Sequence, residues 1–271
     1  MEPTVPLYLK EIVHNVKRLY EEETPRWNEE APTAEDLAIL QREATSESQF
    51  DRLRLRNGLW NDVARTVTCR VCKYGKVLVV SKGPTSVPWT TWARILQMFG
   101  GNFRICYFAA KSPRVLPSRG SPVLAEHING GYTMPCDSSC VVVYREEEAT
   151  RVLVHELMHA SCLDPPISSV AEKEASIETW AELFLIGILS KGSIATAAQL
   201  WALQIKWIQS QNEELNKHHS VRSLEDYSAR YTIGRVQELL KKGITIRRKK
   251  HTKRHSSGRF TSPELDRYLV V

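Results

Sequence analysis

Two hydrophobic periods divide the chain. Residues 4–22 place Leu7, Leu9, Ile12, Val13, Val16 and Leu19 at helical spacing, which predicts an amphipathic helix with one broad apolar face. Thr33-Ala34-Glu35-Asp36 sets an acid three positions after a capping threonine, a helix start. That helical stretch runs to about Arg56, with a break around 45–48, and Asn57-Gly58 stops it. The pattern then turns β-branched. Residues 67–72 and 76–81 flank Lys73-Tyr74-Gly75 and read as a hairpin. Residues 90–99 form a short helix ended by Gly100-Gly101, and 103–109 a strand. Prolines and glycines make 110–130 a long loop, followed by strands at 131–134 and 140–144. From there the pattern is helical, over about 147–162, 168–190, 193–214 and 222–241. Strands cluster in the first half and helices in the second, which predicts an α+β fold and not alternating βαβ units.

A length of 271 residues with 42% hydrophobic positions supports a sizeable core. No apolar run is long enough to span a bilayer, and the start Met1-Glu2-Pro3-Thr4 does not read as a secretory signal. The expectation is therefore a soluble, intracellular protein without a membrane partner. The net charge of +6 is uneven: the nine Lys and Arg residues of 241–259 account for more than all of it and leave −3 elsewhere. That run, Lys241 to Arg259, reads as a flexible basic tail fit for nuclear import, nucleic acid or another polyanion. The chain then divides into a helical region over 1–60, a main domain over 61–242 and the tail over 243–271.

Six cysteines without a secretory signal read as reduced thiols. Cys69-Arg70-Val71-Cys72 has the spacing of half a zinc knuckle, and Cys136 and Cys140 form a looser pair. Buried cysteines acting as small hydrophobes are the simpler reading. Trp201 and Trp207 sit in an Ala- and Leu-rich helical stretch, where packing explains them.

The chemistry is concentrated in Arg151-Val-Leu-Val-His155-Glu156-Leu157-Met158-His159-Ala160. His155 and His159, four apart on a helix, share one face and can reach one metal ion. Neutral imidazole suits zinc, which accepts tetrahedral N/O donors. Glu156 borders the same site without occupying a ligand position, and can take a proton from zinc-bound water. Apolar neighbours on both sides imply a buried helix, where two histidines and an acid need partners. On the next helix Glu174, Glu178 and Glu182, each four apart, form an acidic stripe beside Ile177, Ala181, Phe184 and Leu185. A metal ion and histidines facing that stripe would explain it.

H-E-x-x-H, eighteen residues and then Glu resembles the signature of the gluzincin metallopeptidases; His159 and Glu178 have that spacing. Ile177-Glu178-Thr179-Trp180-Ala181 keeps the Glu, an aromatic and the Ala of the aminopeptidase-N-type third-ligand stretch and departs elsewhere. The resemblance covers about 130–185 and implies a zincin-like fold: a small, mostly antiparallel sheet packed on the active-site helix, with a helical C-terminal half. It implies one zinc ion per chain on His155, His159 and Glu178, with Glu182 orienting a zinc histidine. Glu174 is the rival ligand. It also implies a strand along the cleft edge that pairs with substrate backbone, at 130–134 or 140–144. No Gly-Ala-Met-Glu-Asn motif is present, and Cys162 and Pro165 stand where a metzincin needs glycine and histidine.

The implied activity is hydrolysis of peptide bonds in a peptide or protein substrate, with Glu156 as proton acceptor and donor. Tyr227, Tyr231, His218 and His219 are candidate oxyanion donors. The alternative is a non-catalytic zincin scaffold, or an interaction protein with a nucleic-acid-binding tail.

Overall fold

The structure, a computed structural model, describes residues 6–166, 170–219 and 256–270. In chain order the elements are α1 (Leu7–Glu21), β1 (Asn28–Glu30), α2 (Ala34–Thr45), α3 (Leu55–Trp60), β2 (Arg65–Cys72), β3 (Gly75–Lys82), α4 (Trp89–Phe99), β4 (Phe103–Phe108), α5 (Ala125–Ile128), β5 (Gly131–Thr133), β6 (Val141–Val143), α6 (Ala149–Ala160), α7 (Val170–Ser190), α8 (Ile194–His218) and a 3-10 helix (Pro263–Tyr268). The fold is α+β. Its described residues form two compact units: one from 23–113, 129–163 and residue 270, the other from 6–22, 114–128, 164–166, 170–219 and 256–269.

The first unit is built on an open six-stranded sheet of order β1-β2-β3-β4-β6-β5. β1/β2, β2/β3 and β5/β6 pair antiparallel; β3/β4 and β4/β6 pair parallel. Three of the five pairings are antiparallel, as expected for most of the sheet, and the two parallel ones make it mixed. The physical reason lies in the connections: a two-residue turn allows β2 and β3 to run antiparallel, whereas helix α4 carries the chain back over the sheet before β4 begins. On one face Ile39, Leu40 and Ala44 of α2 pack against Cys69, Leu78, Val80, Cys106, Phe108, Val142 and Tyr144. On the other, the Trp92 ring of α4 lies 5.3 Å from that of Tyr107 and its indole donates to Thr150 Oγ1 of α6 at 2.9 Å.

The start read at Thr33 is a reciprocal cap: its hydroxyl accepts from the Asp36 backbone, and Asp36 accepts from the Thr33 backbone. The fully buried Asp36 carboxylate also accepts from Lys76 Nζ of β3 at 2.9 Å, which ties α2 to the sheet. Burial opposes its charge, but the hydrogen bonds from Lys76 and Thr33 outweigh it and hold the carboxyl below its ordinary value. Asp36→Asn is expected to lower unfolding free energy by roughly 1–3 kcal/mol at pH 7. A depressed folded-state pKa contributes fully above the unfolded value and is lost as pH falls through the folded one. The difference between variant and wild type should therefore shrink below about pH 4. Urea titrations at pH 7 and pH 3 check this, and an equal difference at both rejects it.

The second unit packs α1 with α7 and α8. The apolar face read along 4–22 supplies buried Leu9, Ile12, Val13 and Val16. Close approach of α1 to α7 requires Gly187, where a Cβ would lie 2.5 Å from Ile12 Cγ2. Residues 256–269, expected within a flexible tail, are instead folded. Gln204 Nε2 donates to the Phe260 carbonyl at 2.9 Å and Gln211 Nε2 to that of Arg259 at 2.7 Å. Phe260 is buried with Leu116, Val123, Ile128 and Leu215. Arg259, counted with the basic run, pairs with Asp266 at 2.9 Å. The rest of that run, 241–255, and the helix expected over 222–241 lie outside the described residues. Among the described residues no helix is long and apolar enough to cross a membrane.

Candidate metal centre

Every residue of α6 is buried, as its apolar flanks required. His155 and His159 point from one face of it: their Nε2 atoms are 3.1 Å apart and their ring planes lie at 70°. Two nitrogens on a tetrahedral zinc at 2.0–2.1 Å would be separated by roughly 3.3 Å, so the imidazole pair fits such an ion. Among the described residues one group of His, Cys, Asp and Glu could hold a metal ion: His155, His159 and Glu174, whose ligand atoms all lie within 4.8 Å of one another. The expected ligand Glu178 is not in that group. Glu178 and Glu182 are both buried further along α7.

Glu156 is buried beside the sheet. β5 crosses α6 at Gly131, where an added Cβ would lie 2.5 Å from Val152 Cγ1 and 3.1 Å from Glu156 Cγ. Only glycine lets the strand pass this close. β5 is the edge of the sheet and β6 is interior, so of the two strands named from the sequence the one at the edge is β5. The Tyr144 backbone N–H donates to Gly130 O at 2.7 Å. Antiparallel pairs alternate, so Tyr132 also faces β6, while the backbone groups of Gly131 and Thr133 point to the open edge.

The carboxy end of α6 is tied down. The His159 carbonyl accepts from the Cys136 backbone at 2.9 Å and from that of Cys162 at 3.1 Å, and the two cysteines form a disulfide with Cα atoms 4.6 Å apart. The expectation of six reduced thiols is corrected for this pair. Nothing in the spacing of Cys136 and Cys162 announced it, because only the return of the chain from β5 to the end of α6 makes them neighbours. Cys69 and Cys72 are buried in β2, and burial raises both thiols. Cys140 meets Cys106, with sulfurs 3.6 Å apart, and not the Cys69 pair, so no knuckle joins the two motifs.

Of the candidate oxyanion donors, His219 is buried with its Nδ1 at 2.9 Å from the Ser121 carbonyl. Tyr227 and Tyr231 lie outside the described residues. The sequence reading missed Gly131, although a Gly-Gly pair opening a strand is a signal of close backbone approach. Comparison with protein-family models, with curated proteins and with solved structures found no match for this chain.

Proposed function

We propose that this chain is a zinc-dependent metallopeptidase of the gluzincin kind, with His155, His159 and Glu174 as protein ligands and Glu156 as the proton-transferring acid–base. One observation carries the reading: Glu156 sits beside Gly131 of an edge strand, on the helix whose two imidazole nitrogens stand at zinc-ligand separation. The donor set of two neutral imidazoles and one carboxylate is that of a catalytic zinc site. A zinc ion bound there supplies Lewis acidity, polarising a carbonyl and lowering the pKa of water toward neutrality.

The chain's own residues supply the rest. An extended peptide pairs with the outward backbone groups of Gly131 and Thr133, which lays its scissile bond past Glu156. The Glu156 carboxylate takes a proton from the attacking water and delivers it to the leaving amine. Glu178 and Glu182 act as buried acids behind the ligands, where a carboxylate can fix the tautomer of a metal-binding histidine. The basic stretch 241–255 adds a polyanion contact whose strength falls with salt.

The test is metal content together with cleavage. Purified protein should carry one zinc per chain and hydrolyse members of a mixed peptide library. A chelator should stop cleavage and added zinc restore it. Zinc-loaded protein that cleaves nothing across the library overturns the enzymatic reading and favours the scaffold.

A further inference from the structure

β5 is a weak element by its own resources. It has three residues and, among the described residues, pairs on one side only. Such a strand frays unless side chains hold it. Gly131 faces α6, so the alternation of the strand turns Tyr132 to the opposite face of the sheet. There its ring stacks on Phe50, with centroids 5.8 Å apart and planes at 21°. The Tyr132 hydroxyl donates to Glu43 Oε2 at 2.8 Å and accepts from the Arg56 guanidinium, which also lies over the ring at 4.9 Å. Arg56 is itself clamped: its Nε donates to Asp51 Oδ2 at 3.0 Å, its other nitrogens reach the carbonyls of Ser46 and Glu43, and both partners of the ion pair are buried. Asp51 is fixed in turn by the backbone N–H groups of Leu55 and Arg56 at 2.9 and 3.1 Å. Tyr144 of the neighbouring chain segment donates to the Phe50 carbonyl. Burial raises the Tyr132 phenol, so it stays protonated and keeps its donor role.

A buried ion pair adds little net stability over an apolar substitute, and its best attested use is to fix one geometry. What this one fixes is the strand alongside Glu156. We propose that Glu43, Asp51, Arg56 and Tyr132 form a positioning network that holds β5 at the depth where an extended substrate on its open edge runs past Glu156. Tyr132 is a positioning residue, and the α2–α3 segment is a working part of the site and not a removable prosegment. The inference rests on the peptidase reading for its purpose, but the support of β5 is measurable without cleavage.

The experiment compares zinc-loaded full-length wild type with Tyr132→Phe, which keeps the stacked ring and removes the hydroxyl, and Glu43→Gln, which removes the acceptor charge. Hydrogen exchange is read residue by residue. The Tyr132 amide should exchange about tenfold faster in both variants, with amides of β3 and β4 unchanged and one zinc per chain retained. Where wild type cleaves a library peptide, KM for that peptide should rise about tenfold with a smaller change in kcat. Unchanged exchange at β5 overturns the proposal, and so does an equal acceleration across the whole sheet, which would mark a merely structural role. If wild type cleaves nothing, the peptidase reading falls, while the exchange result still decides whether the network holds the strand.

Discussion

Glu156→Gln should abolish peptide hydrolysis, lowering kcat by about 10³-fold or more, while the protein retains its full complement of zinc. The amide matches the carboxylate in size and shape, so the buried position next to Gly131 tolerates it. What it cannot do is accept a proton from water and pass it to the leaving amine, a role worth roughly 10²–10⁴-fold. Metal affinity should hold because Glu156 is offset by one residue from His155, and so projects about 100° around α6 from the ligand face. The measurement is kcat/KM on a cleaved library peptide beside metal content by atomic absorption. A variant within threefold of wild-type activity removes Glu156 from the chemistry. A variant that loses zinc makes the residue part of the metal shell.

The second large effect concerns the metal itself. His155→Ala and His159→Ala each delete one of two nitrogens that stand 3.1 Å apart. Either should weaken zinc binding well beyond the roughly 10–100-fold that loss of an outer-shell partner costs. The same scale separates the acids of α7. Glu174→Gln should behave as the loss of a ligand, exceeding 100-fold, because Glu174 is the carboxylate grouped with the imidazoles. Glu178→Gln should fall within or below the 10–100-fold range. Competition titrations with a coloured chelator read all four variants. The reverse order for the two glutamates would restore Glu178 as the ligand and leave Glu174 as its neighbour.

The eighteen-residue spacing pointed to Glu178, and the difference from Glu174 has a plain cause. Glu174, Glu178 and Glu182 differ by one helical turn each, so they lie on one stripe and are equivalent to a pattern of period 3.6. Which turn of the stripe would supply a ligand is therefore not encoded by any local pattern. The sheet shows the same division. Strands β2 to β6 were legible in the sequence, and the three-residue β1 (Asn28–Glu30) was not, because it is exposed throughout and has no apolar alternation to read. Strand directions followed from where α4 returned the chain, which a list of strands does not contain. The fold of residues 256–269 was hidden for a related reason: Phe260 is one apolar residue in a polar stretch, and its partners Leu116, Val123, Ile128 and Leu215 come from elsewhere in the chain.

The sequence by itself determined that α6 would be a buried helix, that His155 and His159 would share a face of it with Glu156 alongside, and that an acidic stripe would occupy the helix that follows. These depend on periodicity and burial, which act over a few residues. Tertiary structure alone decided which strand is the edge beside Glu156, which cysteines bond, and that Arg56 grips Tyr132 from 76 positions away. Each of those depends on where distant segments come to rest in three dimensions, a global property of packing that no local pattern records.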